Sequence, residues 1–429
     1  MCNKNIWERK MDNIRRGNKQ LIKELNRLLV VNAILNYEPV SRTKVAKLTE
    51  LSLSTVSNIV ASLIKKGVVQ EIGEEKSNGG RRPIMLKLNP EVGLVIGMKI
   101  GLDGIVAALV NLKGTVLHQI ARPVLTNEDE VVVIESVANV IRSLIKEACV
   151  DFGRIIGCGI GVSGLVDSRR GILLHSAILK WENIQFKKLL RREFNIPIFV
   201  DKDVNALALG EKRYGAARGT SNFVCVTVGT GIGAGIVVDG KIYHGNLGSA
   251  GELGHMVIDK NGPLCYCGKH GCLETLSSDR FIIEEAKKAL IQGKKTLIRR
   301  LLGDNDLGKL SASTVLQAAH KEDPVAKNIF KQAGENLGIG ISNLISIVDP
   351  EAILIGGKGT EAKDLILSPM RKAIKENSPL RRNIKILFPE LGEDGWVIGA
   401  AELVLKEIFR LPIFKFRKGE RIKSAAQWV

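Results

Sequence analysis

A chain of 429 residues, 45 % hydrophobic and 25 % charged, has the makeup of folded globular protein with room for two to four domains, which excludes wholesale disorder. It has no run of about eighteen apolar residues and begins with the polar stretch MCNKNIWERK, which predicts neither membrane span nor signal peptide and a cytoplasmic location. The net charge of +18 is uneven: residues 1–90 hold 17 Lys/Arg against 8 Asp/Glu, so half the excess lies in a fifth of the chain, suiting either a polyanion partner or a soluble face.

Residues 1–17 mix basic and amide residues without a period and predict a loose arm. From Asn18 onward Leu21, Ile22, Leu25, Leu28, Leu29, Ile34 and Leu35 recur at helical spacing, predicting an amphipathic helix that ends near Tyr37, before Pro39. Ser41 then caps a helix over Arg42–Leu48, and Ser52 caps another over Leu53–Lys66 that stops at Gly67. In that second helix Val56, Ile59, Val60 and Leu63 form an inward stripe, leaving Ser54, Thr55, Ser57, Asn58 and Ser62 outward. Such a small, hydroxyl- and amide-rich face can approach a major groove and donate to base edges and phosphates. The spacing of Ala46, Glu50 and Val56 resembles a helix-turn-helix, with Glu50 where the turn glycine usually stands. A helical hairpin used only for packing is the alternative. Strands over Val68–Ile72 and Ile84–Leu88 then flank GEEKSNGGRRP, a hairpin that reads as a wing with Arg81 and Arg82 placed for a minor groove, or else as a solvated linker.

Asn89 and Pro90 mark a boundary, after which an internal repeat appears. VIGMKIGLDGIVAALVNLKGTVLH (Val95–His118) and FVCVTVGTGIGAGIVVDGKIYH (Phe223–His244) share three strands joined by glycine-bearing turns. Two such openings predict two related lobes, each a β-meander backed by helices, with a cleft between them. Helices are expected at Val131–Val150, Phe186–Phe194, Phe281–Leu302, Pro324–Ile347 and Ala400–Phe409, and strands at Ile155–Val162 and Ile196–Val200. Asp203, in VDKDVNALALGE, stands at a strand end, where a proton-accepting carboxylate belongs. The tail from Pro412 is basic and reads as a frayed end.

The stretch ELGHMVIDKNGPLCYCGKHGCLE, Glu252–Glu274, holds the densest chemistry. His255, Cys265, Cys267 and Cys272 make the four donors of a structural Zn2+ site, with Gly262, Pro263, Gly268 and Gly271 supplying the turns; three buried free thiols are the alternative. Seven cysteines, with Cys2, Cys149, Cys158 and Cys225 scattered outside this cluster, fit a reducing compartment better than a disulfide framework. A histidine bound through one ring nitrogen still offers its other edge to a ligand, so the stretch is also a candidate cradle for sugar hydroxyls.

Glu-x-x-His followed by Cys-x-Cys-Gly-x-x-Gly-Cys-x-Glu resembles the signature of the ROK family of sugar kinases and sugar-responsive repressors, and the resemblance spans about Asn18 to Leu405. It implies an α/β, actin/hexokinase-like (ribonuclease H-like) two-lobed domain behind a winged helix-turn-helix, with sugar in the cleft. The expected domains are 1–90 (DNA-binding), 91–210 (first lobe), 211–405 (second lobe with the zinc motif) and 406–429 (basic tail). By matching position Glu252, His255 and Glu274 touch the sugar, with Asp203 as a vestigial base and Lys202 and Ser163 beside it; Trp181 is a further pocket candidate. GGRRP is also what repressors of this family show.

Family kinases cradle ATP phosphates on two glycine turns. Here the second survives as Gly229, Thr230 and Gly231, with Gly356 and Gly357 on the same side, while the first, Asp-x-Gly-Gly-Thr in the kinases, reads Lys99, Ile100, Gly101, Leu102, Asp103. Lys202 also replaces the asparagine that holds a sugar hydroxyl in those kinases. The expected function is therefore a non-enzymatic repressor, a homodimer or higher homo-oligomer, released from operator DNA by a monosaccharide inducer. The alternative is an ATP-dependent sugar kinase with an accessory DNA-binding domain. The GGRRP segment and Lys/Ile-rich composition most resemble the family's xylose-responsive repressors.

Overall fold

The structure, a computed structural model, describes residues 19–74, 83–303, 306–378 and 383–409; the expected N-terminal arm, the expected wing arginines Arg81 and Arg82, and the expected basic tail beyond Phe409 lie outside the described residues. The N-terminal unit runs α1 (Lys19–Tyr37), β1 (Val40–Ser41), α2 (Arg42–Thr49), α3 (Leu53–Lys65), β2 (Val69–Glu74) and β3 (Ile84–Leu88). Both serine caps form: Ser41 Oγ accepts from the Lys44 amide at 3.3 Å, and Ser52 Oγ from the Thr55 amide at 3.2 Å. Between α2 and α3 the chain reverses through Glu50 at φ 57°, ψ 20°, the left-handed conformation a turn glycine would adopt without strain. The three strands make one sheet in the order β1-β3-β2, with β2 and β3 antiparallel from Val69 opposite Leu88. This is a winged helix-turn-helix arrangement.

The first lobe comprises β4 (Leu94–Gly101), β5 (Gly104–Asn111), β6 (Val116–Arg122), α4 (Glu130–Glu147), β7 (Ile155–Val162), the small sheet of β8 (Leu165–Asp167), β9 (Ile172–Ser176) and β10 (Trp181–Ile184), then α5 (Phe186–Phe194), β11 (Ile198–Lys202) and α6 (Asp203–Tyr214). The second comprises β12 (Phe223–Val228), β13 (Ile232–Val238), β14 (Lys241–Ile242), α7 (Glu274–Ser277), α8 (Asp279–Ile291), α9 (Leu297–Leu302), α10 (Ala312–His320), α11 (Pro324–Val348), β15 (Ala352–Gly356), α12 (Lys363–Asn377), β16 (Lys385–Leu387) and α13 (Asp394–Ile408).

The internal repeat appears as two five-stranded sheets of matching plan, β6-β5-β4-β7-β11 and β14-β13-β12-β15-β16, each an antiparallel meander extended by two parallel strands. Parallel strands need helical crossovers, and the near-continuous apolar runs of β4, β7 and β15 are buried as that arrangement requires. The fold is thus the two-lobed actin/hexokinase-like one.

Several expected boundaries move. The single helix expected over Phe281–Leu302 is two: α8 stops before Gly293 at φ 72°, and Thr296 caps α9 by accepting from the Ile298 amide. The last helix begins at Asp394, six residues before the expected Ala400, because Gly399 packs against the Ala206 carbonyl and Gly395 against the Leu207 and Glu211 side chains rather than facing solvent. β11 is shifted two residues along and so carries Lys202 at its end. The domain limits drawn at 210 and 405 both fall inside helices, α6 and α13. Moreover α13 packs on β4 and β7 of the first lobe, since its apolar face matches that sheet rather than its sequence neighbours.

Candidate functional site

The cleft residues are set by the end of β11 and the start of α6. Lys202 precedes the helix and Asp203 is its first residue, where the exposed amides of a helix N-terminus favour a carboxylate. Asp203 Oδ1 accepts from the Val204 amide at 2.7 Å, and its Oδ2 accepts from the Ser163 hydroxyl at 2.5 Å. Lys202, 4 % exposed, reaches across the cleft: its Nζ donates to the Ala250 carbonyl at 2.7 Å and to Glu252 Oε1 at 3.0 Å.

Below it Asp201 is buried, with Oδ1 accepting from the Asn205 amide at 2.7 Å and Oδ2 lying 2.7 Å from His244 Nε2. Burial alone pushes the Asp201 carboxyl up, but His244, the Lys406 charge and the Asn205 amide outweigh it and hold the group below its ordinary range. His244 closes the second copy of the internal repeat, as His118 closes the first, and that shared position is the signal by which the sequence could have flagged it.

From the second lobe Glu274 is buried at the start of α7, its Oε2 accepting from the Ile232 amide at 3.0 Å beside Gly231. Gly229 is buried and Thr230 exposed on the same turn. Asp203 is thus joined to Ser163 within the first lobe and Lys202 to Glu252 across the lobes, while Glu274 is held by the second lobe beside Gly231. Trp181 joins none of these: it is 1 % exposed, packs on Phe186 and donates Nε1–H to the Leu125 carbonyl at 3.0 Å, so it serves the first-lobe core.

In the loop before α7, His255, Cys265, Cys267 and Cys272 converge until their donor atoms all lie within 4.8 Å of one another. His255 Nδ1 faces Cys265 Sγ at 3.6 Å, and Cys267 and Cys272 Sγ are also 3.6 Å apart. Donors about 2.0–2.3 Å from one tetrahedral ion stand about 3.5 Å from each other, so the cluster fits a metal ion. Gly271 makes the loop possible, because a Cβ there would fall 1.4 Å from the Asp259 carbonyl. The other edge of His255 is engaged: Tyr266 Oη lies 3.0 Å from Nε2, with the two rings edge to face. Tyr266 was not among the expected site residues; it stands between two ligand-type cysteines, and that spacing was its only mark.

Next to Ser163, whose amide donates to the Ile100 carbonyl at 3.0 Å, the expected loss of the first phosphate turn takes a defined form. Lys99 Nζ lies 3.2 Å from Asp103 Oδ2 and 4.7 Å over the Trp396 ring, and Lys358 of the second lobe reaches the same carboxylate at 3.6 Å. Burial raises the Asp103 carboxyl, but Lys99 and Lys358 together hold it below its usual value, so a partly exposed ion cluster stands at the turn. Leu102 is half exposed beside it.

On the N-terminal unit, Ser54 and Asn58 are exposed on α3, and Thr55 and Ser57 are partly exposed. Ser52 Oγ lies 3.0 Å from Ser54 Oγ and 2.8 Å from Thr55 Oγ1, placing a hydroxyl cluster at the helix N-terminus, the part of such a helix that meets base edges.

Residues 95–407 match the model of the ROK family. Over 398 residues the chain is 35 % identical to the xylose repressor of Caldicellulosiruptor bescii, covering 92 % of this chain and 99 % of that protein. Among solved structures, a ROK family transcriptional regulator, a homologue of the E. coli MLC protein, superposes with a TM-score of 0.78 at 29 % identity over 90 % of this chain and 96 % of the other. A ROK family glucokinase from Streptomyces griseus, solved with glucose and AMPPNP, superposes at 0.63 and 31 % identity over 72 % of this chain and 99 % of its own.

Proposed function

The chain belongs to the ROK family, and from that premise we propose how it acts as a sugar-responsive transcriptional repressor rather than an enzyme. The observation that carries the reading is similarity to a named repressor across both the winged unit and the lobes, combined with a first phosphate turn filled by Lys99 and Asp103. Among the described residues no helix is long and apolar enough to cross a membrane.

Operator DNA is read by Ser54, Thr55, Ser57 and Asn58 of α3, with Arg81 and Arg82 of the wing entering the minor groove of a homodimer's half-site. A monosaccharide inducer, xylose by the named relative, is held in the cleft by Asp203, Glu252 and Glu274 and by His255 once a sugar hydroxyl displaces Tyr266 from its Nε2, with Lys202 and Ser163 setting charge and orientation. His255, Cys265, Cys267 and Cys272 would hold a structural Zn2+ with no open coordination position, so when bound it braces the loop and fixes His255. Tyr266 and Lys202 are already hydrogen-bonded to the residues that face the ligand, so the cleft presents preset donors as well as carboxylates. Carrying a population from 1:99 to 99:1 takes about 5.5 kcal/mol of differential binding, within reach of several hydroxyl contacts made in two subunits.

The test is gel retardation of the full chain on a duplex it selects from a randomised pool, with and without each of a panel of sugars. Release by one sugar is expected, together with weaker binding and a flatter salt dependence in Arg81→Ala/Arg82→Ala. A kinase reading has Asp203 and the Gly229 turn in its favour, and turnover in a coupled ATP assay would replace the repressor-only account.

A further inference from the structure

A repressor of this kind needs a mechanical link between cleft and DNA reader, and α6 has an end in each region. Its first residue is Asp203, hydrogen-bonded to Ser163, and its cap is Lys202, bound to Glu252 of the opposite lobe. Its twelve residues contain no proline and most are buried, so it is a stiff rod of about 18 Å. At the other end the Arg213 guanidinium donates to Asn36 Oδ1 of α1 at 3.3 Å, and the Tyr214 hydroxyl donates to Glu402 Oε2 of α13 at 3.3 Å.

In between, α6 and α13 cross backbone to backbone. A Cβ on Gly399 would fall 1.8 Å from the Ala206 carbonyl, and one on Gly210 would fall 2.7 Å from the Gly395 carbonyl, so the two helices cannot slide apart or rotate without losing this fit. The C-terminal end of α13 then shares a core with the DNA reader: Leu405 and Ile408 are buried in one apolar cluster with Leu28, Val31 and Ile34 of α1 and with Val95, Val110 and Ile156 of the first-lobe sheet. Asn32 Nδ2 donates to the Phe409 carbonyl at 3.1 Å just beyond the end of α13.

Resting on the repressor reading, we propose that α6 and α13, locked at the Gly210/Gly399 crossing, are the transmission between the sugar cleft and the winged domain, and that Arg213 and Tyr214 are its positioning residues. A sugar that alters the Lys202–Glu252 or Asp203–Ser163 contacts displaces the first turn of α6. The rigid crossing passes that displacement to α13, and the shared core passes it to α1.

The experiment measures coupling, the ratio of DNA affinities without and with sugar, for the full chain and for Arg213→Ala/Tyr214→Phe, using the selected duplex and D-xylose or whichever panel sugar releases the wild type. The substitutions lie on the surface or keep the aromatic ring, so the variant folds. Its sugar affinity without DNA and its DNA affinity without sugar stay within about twofold of wild type, while the coupling ratio falls at least about fivefold, the lower end of ordinary allosteric coupling. A ratio equal to wild type overturns the proposal while leaving the repressor reading intact. If wild type itself is released by no sugar, the reading beneath fails and the transmission with it. Hydrogen exchange on the wild type gives a second readout: sugar alters protection in 203–214, 394–408 and 19–37, whereas a change confined to the cleft overturns the proposal.

Discussion

Lys202 Nζ stands 3.0 Å from Glu252 Oε1, so the end of a first-lobe strand grips a second-lobe loop through an ion pair whose cation is buried and whose carboxylate is 40 % exposed. Removing a cation from such a pair strands its partners. For Lys202→Met the expected loss is about 1–2 kcal/mol, smaller than for a fully enclosed pair because water still reaches Glu252. Calorimetry should show sugar binding weakened about tenfold; full affinity in the variant would mean that this pair plays no part in the cleft.

Glu50 occupies the helix-turn-helix corner at φ 57° with its side chain exposed. A left-handed seat costs an ordinary residue about 1 kcal/mol, and glycine returns some of that gain to the unfolded chain. Glu50→Gly is therefore expected to leave DNA binding intact and raise stability by about 0.5–1 kcal/mol, measured by urea unfolding. A lower midpoint would show that the glutamate side chain contributes more than its backbone costs.

Glu402 sits against α6, where burial pushes its carboxyl up to about 7 despite Arg213, the Tyr214 hydroxyl, Lys406 and Lys212 around it. A carboxyl raised in the fold stabilises the native state fully below its ordinary value and loses that contribution as pH climbs through about 7. Stability should thus fall between roughly pH 5 and 8 by an amount on the order of 1–2 kcal/mol attributable to this group. Glu402→Gln, which imitates the protonated form, should flatten that part of the profile; an unchanged slope assigns the loss elsewhere.

The four donors of the His255 loop should bind one zinc per chain, detectable by metal analysis. Stripping the metal with a strong chelator lowers the melting temperature by several degrees, since the ion braces a loop rather than the core. Cys272→Ser should reproduce the lower value and make the protein indifferent to the chelator; a metal-free wild type with the same melting point would remove the metal from the account.

Local chemistry made much of this legible in the sequence. Serine caps, the Glu50 corner and the alternation of glycine turns with apolar strands act over a few residues, and the winged unit and the repeated sheets follow them. What eluded the sequence is set by partners far along the chain. Trp181 looked available until the Leu125 carbonyl, 56 residues away, took its indole N–H. The true start of α13 depends on first-lobe backbone meeting Gly395 and Gly399, and an isolated reading scores those glycines as helix breakers. The direction in which Lys202 points is decided by a loop 48 residues later.

One buried apolar cluster joins Leu28 and Ile34 of α1 to the first-lobe sheet and to Leu405 and Ile408 of α13, some 370 positions after α1 begins. During synthesis the reader leaves the ribosome first, so the apolar surface that α13 covers stays open to water until nearly the whole polypeptide has emerged. A prematurely terminated copy keeps that surface uncovered and is correspondingly prone to aggregate.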